Sequence, residues 1–158
     1  AAMTPGEARA PMNPAALHQA LSCTSCHGAH GFDVKRAAAD ACQSCHTDGH
    51  TLAYAGSVHA ALWQREQAGS GAPQSGVSCA TCHLPRTADE AGHVFVQHDQ
   101  NDNLRPNEKM LRTVCGNCHG VTFSLDALAD ADLVRNNFKG QPARHVPSTD
   151  WAVARKKP

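Results

Sequence analysis

The stretch Cys23-Thr-Ser-Cys26-His27 decides the fold, because the chain repeats its pattern four times. The other copies are Cys42-Gln-Ser-Cys45-His46, Cys79-Ala-Thr-Cys82-His83 and Cys115-Gly-Asn-Cys118-His119, which together with the first use all eight cysteines. Cys-x-x-Cys-His is the attachment signature of c-type haem. The sequence therefore predicts four covalently bound haem c groups, each with one iron.

The spacing within each motif has a chemical reason. The two thiols add to the two vinyl groups of one porphyrin, and the next residue can reach the iron from the proximal side. We therefore expect the proximal ligands to be His27, His46, His83 and His119. Zinc ribbons also use Cys-x-x-Cys pairs, but a tetrahedral zinc site does not require a histidine after every pair. A disulfide scaffold would not repeat one spacing four times.

Length and composition indicate that the haems supply most of the core. The 158 residues leave about 40 per haem, and aromatic residues make up only 4% of the chain. Porphyrin faces would therefore provide much of the buried apolar surface. We expect a mainly α fold, with short helices and long loops wrapped around four haems and little or no sheet. Residues 1–14 are predicted to be an extended arm and residues 15–158 a single tetrahaem domain.

Sequence patterns predict short helices around the motifs. The clearest one covers 51–68, where Leu52, Val58 and Leu62 share a face. Ser124 is a candidate N-cap for a last helix that would stop near Gly140. Further short helices are expected over 15–21, 37–45 and 108–118. No strand pattern of useful length is present, and residues 85–103 are polar and irregular.

Charge and hydropathy limit the partners. The chain has 14 basic and 14 acidic residues, so the haem propionates would make the assembled protein acidic and disfavour nucleic acid as a partner. No apolar run approaches about 18 residues, so no transmembrane segment is predicted. The start at Ala1-Ala2-Met3 is consistent with a mature form whose signal peptide has been removed. Since haem is attached covalently outside the bacterial cytoplasm, we expect a periplasmic protein.

Seven histidines outside the motifs are candidates for the distal side of the irons. They are His18, His30, His50, His59, His93, His98 and His145. The chain contains only three methionines, so bis-histidine ligation is favoured over histidine and methionine. A low reduction potential is expected for such haems.

The order of motifs and histidines resembles two families of multihaem enzymes. The stretch from Cys23 to His59, which includes Gly28-Ala-His30 and Tyr54-Ala-Gly-Ser57-Val-His59, looks like the central part of the octahaem hydroxylamine oxidoreductases. The stretch from Gly76 to Pro85, with His98 and the fourth motif, is similar to the last haems of the pentahaem nitrite reductases. The resemblance covers about residues 20 to 145.

This resemblance implies distal ligands from remote segments. His59 would complete the fourth iron, His98 the first and His145 the third. For the second iron, His30 is favoured because a Cys-x-x-Cys-His-x-x-His arrangement commonly lends its last histidine to a neighbouring haem. The alternative is His18, since a histidine upstream of the motifs fills this place in the nitrite reductases. His93 is interpreted as a surface residue or propionate partner.

His50 resembles the active-site histidine of both families, and Asp48 lies close to it in sequence. Its spacing from His46 is one residue shorter than in the hydroxylamine oxidoreductases. No fifth cysteine pair exists for a catalytic haem, and the only tyrosine, Tyr54, falls in the predicted helix that carries His59. We therefore interpret His50 as a relic or an outer hydrogen-bonding residue.

Three functions are compatible with these patterns. The first is a periplasmic electron-transfer cytochrome that relays single electrons and meets redox partner proteins through small, transient interfaces. The alternative is a haem enzyme that acts on hydroxylamine or on a nitrogen or sulfur oxyanion at one open haem. A third is a subunit, in a homo-oligomer or docked on a larger oxidoreductase.

Overall fold

Short helices and the loops between them account for most of the structure, a computed structural model that describes residues 12–15, 22–31 and 33–147. The α-helices of this part are α1 (Cys23–Cys26), α2 (Ala41–Gln43), α3 (Gly49–Ala53), α4 (Val58–Gln67), α5 (Cys79–His83), α6 (Gln100–Leu104), α7 (Met110–Thr113), α8 (Val121–Ala129) and α9 (Ala131–Arg135). A π-helical turn covers Arg36–Asp40, and 3-10 turns cover Tyr54–Gly56, Asn107–Lys109 and Cys115–Asn117. The prediction of a mainly α fold is confirmed.

One small antiparallel hairpin lies where the sequence predicted an irregular stretch. Strands β1 (Arg86–Ala88) and β2 (Val94–Val96) pair with Thr87 opposite Phe95. The Asp89 carboxylate accepts the backbone N–H of His93 at 2.8 Å and closes the turn between the strands. Three residues per strand are too few to show an alternating pattern, which is why the hairpin was not predicted.

The helix predicted over 51–68 is broken, so that prediction is wrong in its continuity. Ser57 has extended backbone angles (φ −87°, ψ 160°), and its hydroxyl accepts the N–H of Ala60 at 3.1 Å. It therefore acts as an N-cap, which the helical spacing of the neighbouring apolar residues concealed. The break places His59 in the first turn of a new helix, α4.

The start of the last helix was also predicted wrongly. Helix α8 begins at Val121, and Ser124 lies inside it, where its hydroxyl donates to the Gly120 carbonyl oxygen at 2.9 Å. Asp130 ends α8 and caps α9 by accepting the N–H groups of Asp132 and Leu133, each at 3.1 Å. Helix formation therefore stops at α9, before the predicted end at Gly140.

The other predicted helices had different outcomes. Residues 37–45 are largely helical, although the first part is the π-helical turn Arg36–Asp40. The helix over 108–118 is interrupted at Val114, whose φ and ψ are −129° and −72°. Residues 16–21 and the first eleven residues of the predicted arm lie outside the described part. At the end of that arm, Met12 forms a β-bridge with His46.

The polypeptide core is made of small side chains. The buried apolar residues of the described part are Ala38, Ala39, Ala41, Tyr54, Ala60, Met110, Ala127, Leu128 and Leu133. Within the part of the chain that the structure describes, the largest fully buried side chain is the hydroxymethyl group of Ser124, which is 2% exposed. Five alanines among nine residues bury little area, so side-chain packing alone contributes modestly to stability.

Candidate haem-binding site

Each of the four Cys-x-x-Cys-His strings forms one helical turn. The histidine N–H donates to the carbonyl of the first cysteine at 2.9 Å in the first and second strings and at 2.8 Å in the fourth. The third string is the helix α5 itself. Residues three positions apart share a face of a helix, so the two thiols of a pair point the same way and the imidazole follows next to them. One flat porphyrin needs this arrangement for two thioether bonds and one axial ligand.

Capping boxes stabilise the first and third turns. The Ser22 N–H donates to Ser25 Oγ at 3.1 Å, and the Ser78 N–H donates to Thr81 Oγ1 at 3.0 Å. In return, the Thr81 N–H donates to Ser78 Oγ at 3.2 Å. Such caps stabilise a helix start by about 1 kcal/mol. The second variable residue of these two motifs therefore helps to hold the turn that carries the thiols.

Thiols of successive motifs lie close together. Cys42 and Cys79 share a side-chain hydrogen bond, which raises the pKa of Cys42 and lowers that of Cys79. Removal from water and the nearby Cys42 raise the pKa of Cys26. Removal from water and the nearby Cys115 raise the pKa of Cys82 to about 12.

The ring of His59 lies near that of His119, the histidine of the fourth motif. Their ring centres are 6.3 Å apart, with 65° between the ring planes. A metal-bound imidazole nitrogen is about 2 Å from the ion and about 1 Å from its ring centre, so two imidazoles on opposite sides of one metal have centres about 6 Å apart. The distance agrees with the prediction that His59 is the distal ligand of the fourth iron. Burial lowers the pKa of His59, which favours the neutral form that binds metals.

A second pair of imidazoles was not predicted. The ring centre of His50 is 6.0 Å from that of His83, the histidine of the third motif, at an interplanar angle of 70°. Removal from water and the nearby His50 and His46 lower the pKa of His83 to about 4, although Asp48 opposes the shift. His83 is therefore neutral at physiological pH and able to coordinate a metal.

Hydrogen bonds fix the position of His50. Its Nδ1 lies within hydrogen-bond distance of the Val134 carbonyl oxygen, and the Asn137 side-chain amide donates to its backbone carbonyl oxygen at 3.1 Å. Asp48 caps α3 by accepting the N–H groups of His50 at 3.0 Å and Thr51 at 3.2 Å. Burial would raise the pKa of Asp48, but hydrogen bonds from the Thr51 hydroxyl and the backbone outweigh it and lower the pKa. Asp48 therefore serves as a helix cap.

An unusual turn follows α9 beside these histidines. Asn137 and Phe138 both have φ of +58°, which is a rare conformation for an aromatic residue. The ring of Phe138 lies 6.3 Å from that of His50 and 6.2 Å from that of His59. Sequence reasoning missed both turn residues. Asparagine tolerates a positive φ, but nothing in the sequence indicates that the next residue shares it.

The other predicted distal ligands have varied surroundings. His98 is exposed and follows β2, where its Nδ1–H can donate to the Val96 carbonyl oxygen at 2.9 Å. His145 Nδ1 lies 2.8 Å from an Asp126 carboxylate oxygen, and the side chain of His145 is 46% exposed. A ligating histidine usually bonds its other ring nitrogen to a carbonyl or carboxylate in this way. The structure leaves both assignments as predictions.

The remaining histidines lie at turns or outside the described part. His30 is exposed on the turn between Gly28 and Gly31, where a Cβ on Gly28 would come within 2.8 Å of the Gly31 carbonyl oxygen. His93 is exposed on the turn of the hairpin, and its Nδ1 lies 3.1 Å from Asp89, as expected of a surface residue. His18, the alternative to His30 for the second iron, lies outside the described residues.

The described residues contain neither a cluster of metal-binding side chains nor a helix that could span a membrane. No three or more His, Cys, Asp and Glu side chains of this part converge to hold a metal ion. A haem iron differs because it takes only two axial ligands from the protein. No helix of the same part is long and apolar enough to cross a bilayer.

No known protein family, curated protein or solved structure matches this chain. The resemblance to the hydroxylamine oxidoreductases and nitrite reductases is therefore carried only by its motifs and their spacing.

Proposed function

We propose that this protein is a tetrahaem c-type cytochrome that relays single electrons through four bis-histidine haems. The observation that carries the proposal is the shared geometry of the four Cys-x-x-Cys-His strings. Each forms one helical turn that presents two thiols and an adjacent imidazole. A bound haem would supply the one-electron chemistry of its iron. The chain would position the haems, restrict their contact with water and set their potentials.

The ligand geometry at the fourth motif supports this proposal. The rings of His59 and His119 are separated by the distance expected of two axial ligands of one metal. Two nitrogen ligands fill both axial positions of a haem iron and leave no place for a substrate. Such a site favours electron transfer over catalysis.

The small core supports a protein built around large cofactors. Large apolar side chains with 61% to 68% exposure are Val34, Leu52, Val58, Val94 and Val121. A cavity of about 480 Å³ lies near the second motif, with Ala39, Tyr54, Ala60 and Trp63 among its lining residues. Cofactor sites typically have volumes of about 300–1,000 Å³ and mostly apolar walls. Porphyrin faces would cover surfaces of this kind.

The motif resemblance supports a place beside the multihaem enzymes of nitrogen chemistry, with the catalytic haem missing. Covalent haem attachment supports a periplasmic location. With four haems and their propionates, the protein would be acidic and would exchange electrons with redox proteins that present complementary positive surfaces. Contacts of this type are small and short-lived.

Haem counting and ligand binding test the proposal. Protein produced with a c-type haem attachment system should carry four haems, as measured by mass and by pyridine haemochrome absorbance. Its ferric spectrum should be entirely low spin, and the reduced protein should bind no carbon monoxide. Protein that binds zinc with free thiols would refute the cytochrome. A high-spin iron that responds to nitrite or hydroxylamine would instead support the haem enzyme.

A further inference from the structure

We propose that His50, rather than His145, is the distal ligand of the third haem. This inference rests on the proposed function, since it requires a haem attached to Cys79 and Cys82. It reverses the interpretation of His50 as an active-site relic. The iron of the third haem would then take its distal ligand from helix α3.

The position of the two rings supports His50 as the ligand. Among the ring contacts of the described residues, the imidazole across from His83 is that of His50, at 6.0 Å. This separation is close to the 6.3 Å between His59 and His119 and to the value of about 6 Å for two imidazoles on one metal. The two ring pairs also have similar interplanar angles, 70° and 65°. The third and fourth motifs thus each have an imidazole at axial-ligand distance.

The hydrogen bonding of the His50 ring also supports this assignment. Its Nδ1–H donates to the Val134 carbonyl oxygen, which leaves the lone pair on Nε2. A metal-bound imidazole usually has this arrangement, because a carbonyl on the outer nitrogen fixes the tautomer and the ring orientation. The carbonyl belongs to α9, so the bond also holds α3 against α9.

The Asn137 amide is the competitor for Nε2. Its nitrogen lies 3.3 Å from Nε2 and 3.1 Å from the carbonyl oxygen of His50. A hydrogen bond to Nε2 at this distance is long and therefore weak. Because the amide has a second acceptor in the backbone, Nε2 can give its lone pair to iron while Asn137 stays anchored.

A strained turn supports the imidazoles of both His50 and His59. Phe138, with a φ of +58°, places its ring against His50 and against His59. A bulky residue keeps such a conformation only when its surroundings impose it, and strained positions of this kind cluster at functional sites. Since one ring buttresses both histidines, the structure gives His50 the same support as the predicted ligand of the fourth iron.

His145, the ligand that the resemblance implies, is held by a carboxylate of α8. Asp126 holds its Nδ1 at 2.8 Å and accepts the Val146 N–H at 2.8 Å, which ties the segment after α9 to α8. Its side chain is 46% exposed. The observation that favours His50 is therefore the 6.0 Å separation between its ring centre and that of His83.

The test compares the spin state of the irons in the holoprotein. His50→Ala should retain four haems, convert one iron in four from low to high spin in the ferric EPR spectrum, and bind one carbon monoxide per reduced protein. His50→Gln should do the same, because glutamine can still bond to the Val134 carbonyl but provides no imidazole. His93→Ala, at an exposed turn, is the control and should leave all four irons low spin.

Two further variants make the result decisive. His50→Met supplies a thioether ligand, so it should stay low spin and raise the potential of one haem, which can be measured even if the alanine variant does not fold. The double variant His50→Ala/His59→Ala should show two high-spin irons, because the two histidines would serve different haems. Four low-spin irons in His50→Ala, or four unchanged potentials in His50→Met, would overturn the inference. Fewer than four haems in the unsubstituted protein would instead refute the proposed function.

Discussion

Replacing His59 with alanine should open the fourth haem and no other. The ring centres of His59 and His119 are 6.3 Å apart, so removing one imidazole leaves the other as the axial ligand of that iron. Alanine has the highest helix propensity, and His59 is the second residue of α4, so the helix should persist. The expected magnitude is one iron in four, or a quarter of the low-spin signal.

Spectroscopy and ligand binding measure this fraction. Ferric EPR should show one high-spin iron per protein, and the reduced protein should bind one carbon monoxide. Added imidazole should restore the low-spin signal, because the empty space has the shape of the deleted ring. This rescue separates loss of a ligand from general damage to the fold.

Four low-spin irons in a fully loaded His59→Ala protein would refute the reasoning. They would mean that the approach of the two rings is ordinary edge-to-face packing, which also brings aromatic ring centres within about 4.5–7 Å. A high-spin iron that does not respond to imidazole would show that α4 itself has moved. His93→Ala serves as the control and should change neither the ferric EPR spectrum nor the binding of carbon monoxide.

Three other predictions concern folding. Cys118→Ser removes one thioether and should lower haem content and helix content together, because the cofactor supplies much of the core. Haemochrome absorbance measures the first and circular dichroism the second. A fully folded three-haem protein would contradict this expectation. Tyr54→Phe should lower the free energy of unfolding by about 1–2 kcal/mol in denaturant titrations, because the hydroxyl donates to the Val77 carbonyl oxygen at 2.8 Å; an unchanged midpoint would show that the bond adds no stability. The hydrogen bond from His145 lowers the pKa of Asp126, so this carboxylate stabilises the fold above its unfolded pKa of about 3.9. The free energy of unfolding of Asp126→Asn should therefore be lower than that of the unsubstituted protein at pH 7, and the gap between them should shrink as the pH falls below about 4. A gap that stays constant with pH would argue against the ionic contribution.

The predicted attachment positions depend on chemistry that is local in the sequence. Two thiols and an imidazole must lie within one helical turn, so five consecutive residues define each motif. The mainly α fold could be predicted because the sequence shows helical spacing and no strand pattern of useful length. Helix boundaries were less predictable. Ser57 and Ser124 have the same side chain, yet one caps α4 and the other bonds to Gly120 inside α8.

The pairing of the histidine rings could not be predicted from the sequence because it joins remote segments. His50 and His83 are separated by many residues, and their approach depends on the contact between α3 and α9. Family resemblance favoured His145 for the third haem. The resemblance gave no indication of the turn at Phe138, because a positive φ at a phenylalanine has no signature in the sequence.

Contacts between the thiols show that motifs adjacent in the sequence are also adjacent in space. Cys26 lies near Cys42, and Cys42 shares a hydrogen bond with Cys79, so the first, second and third motifs follow one another. The third and fourth motifs meet at Cys82, whose pKa is raised by the nearby Cys115.

The ring of Phe138 lies near those of both His50 and His59, so it would lie between the third and fourth haems of the proposed cytochrome. Neighbouring motifs in the sequence are therefore neighbours in the structure at every step. An electron that enters at the first haem would reach the fourth through the second and third in turn. Opening the third haem at His50 should consequently slow transfer between the two ends of the chain more than opening the fourth at His59, which lies at one end.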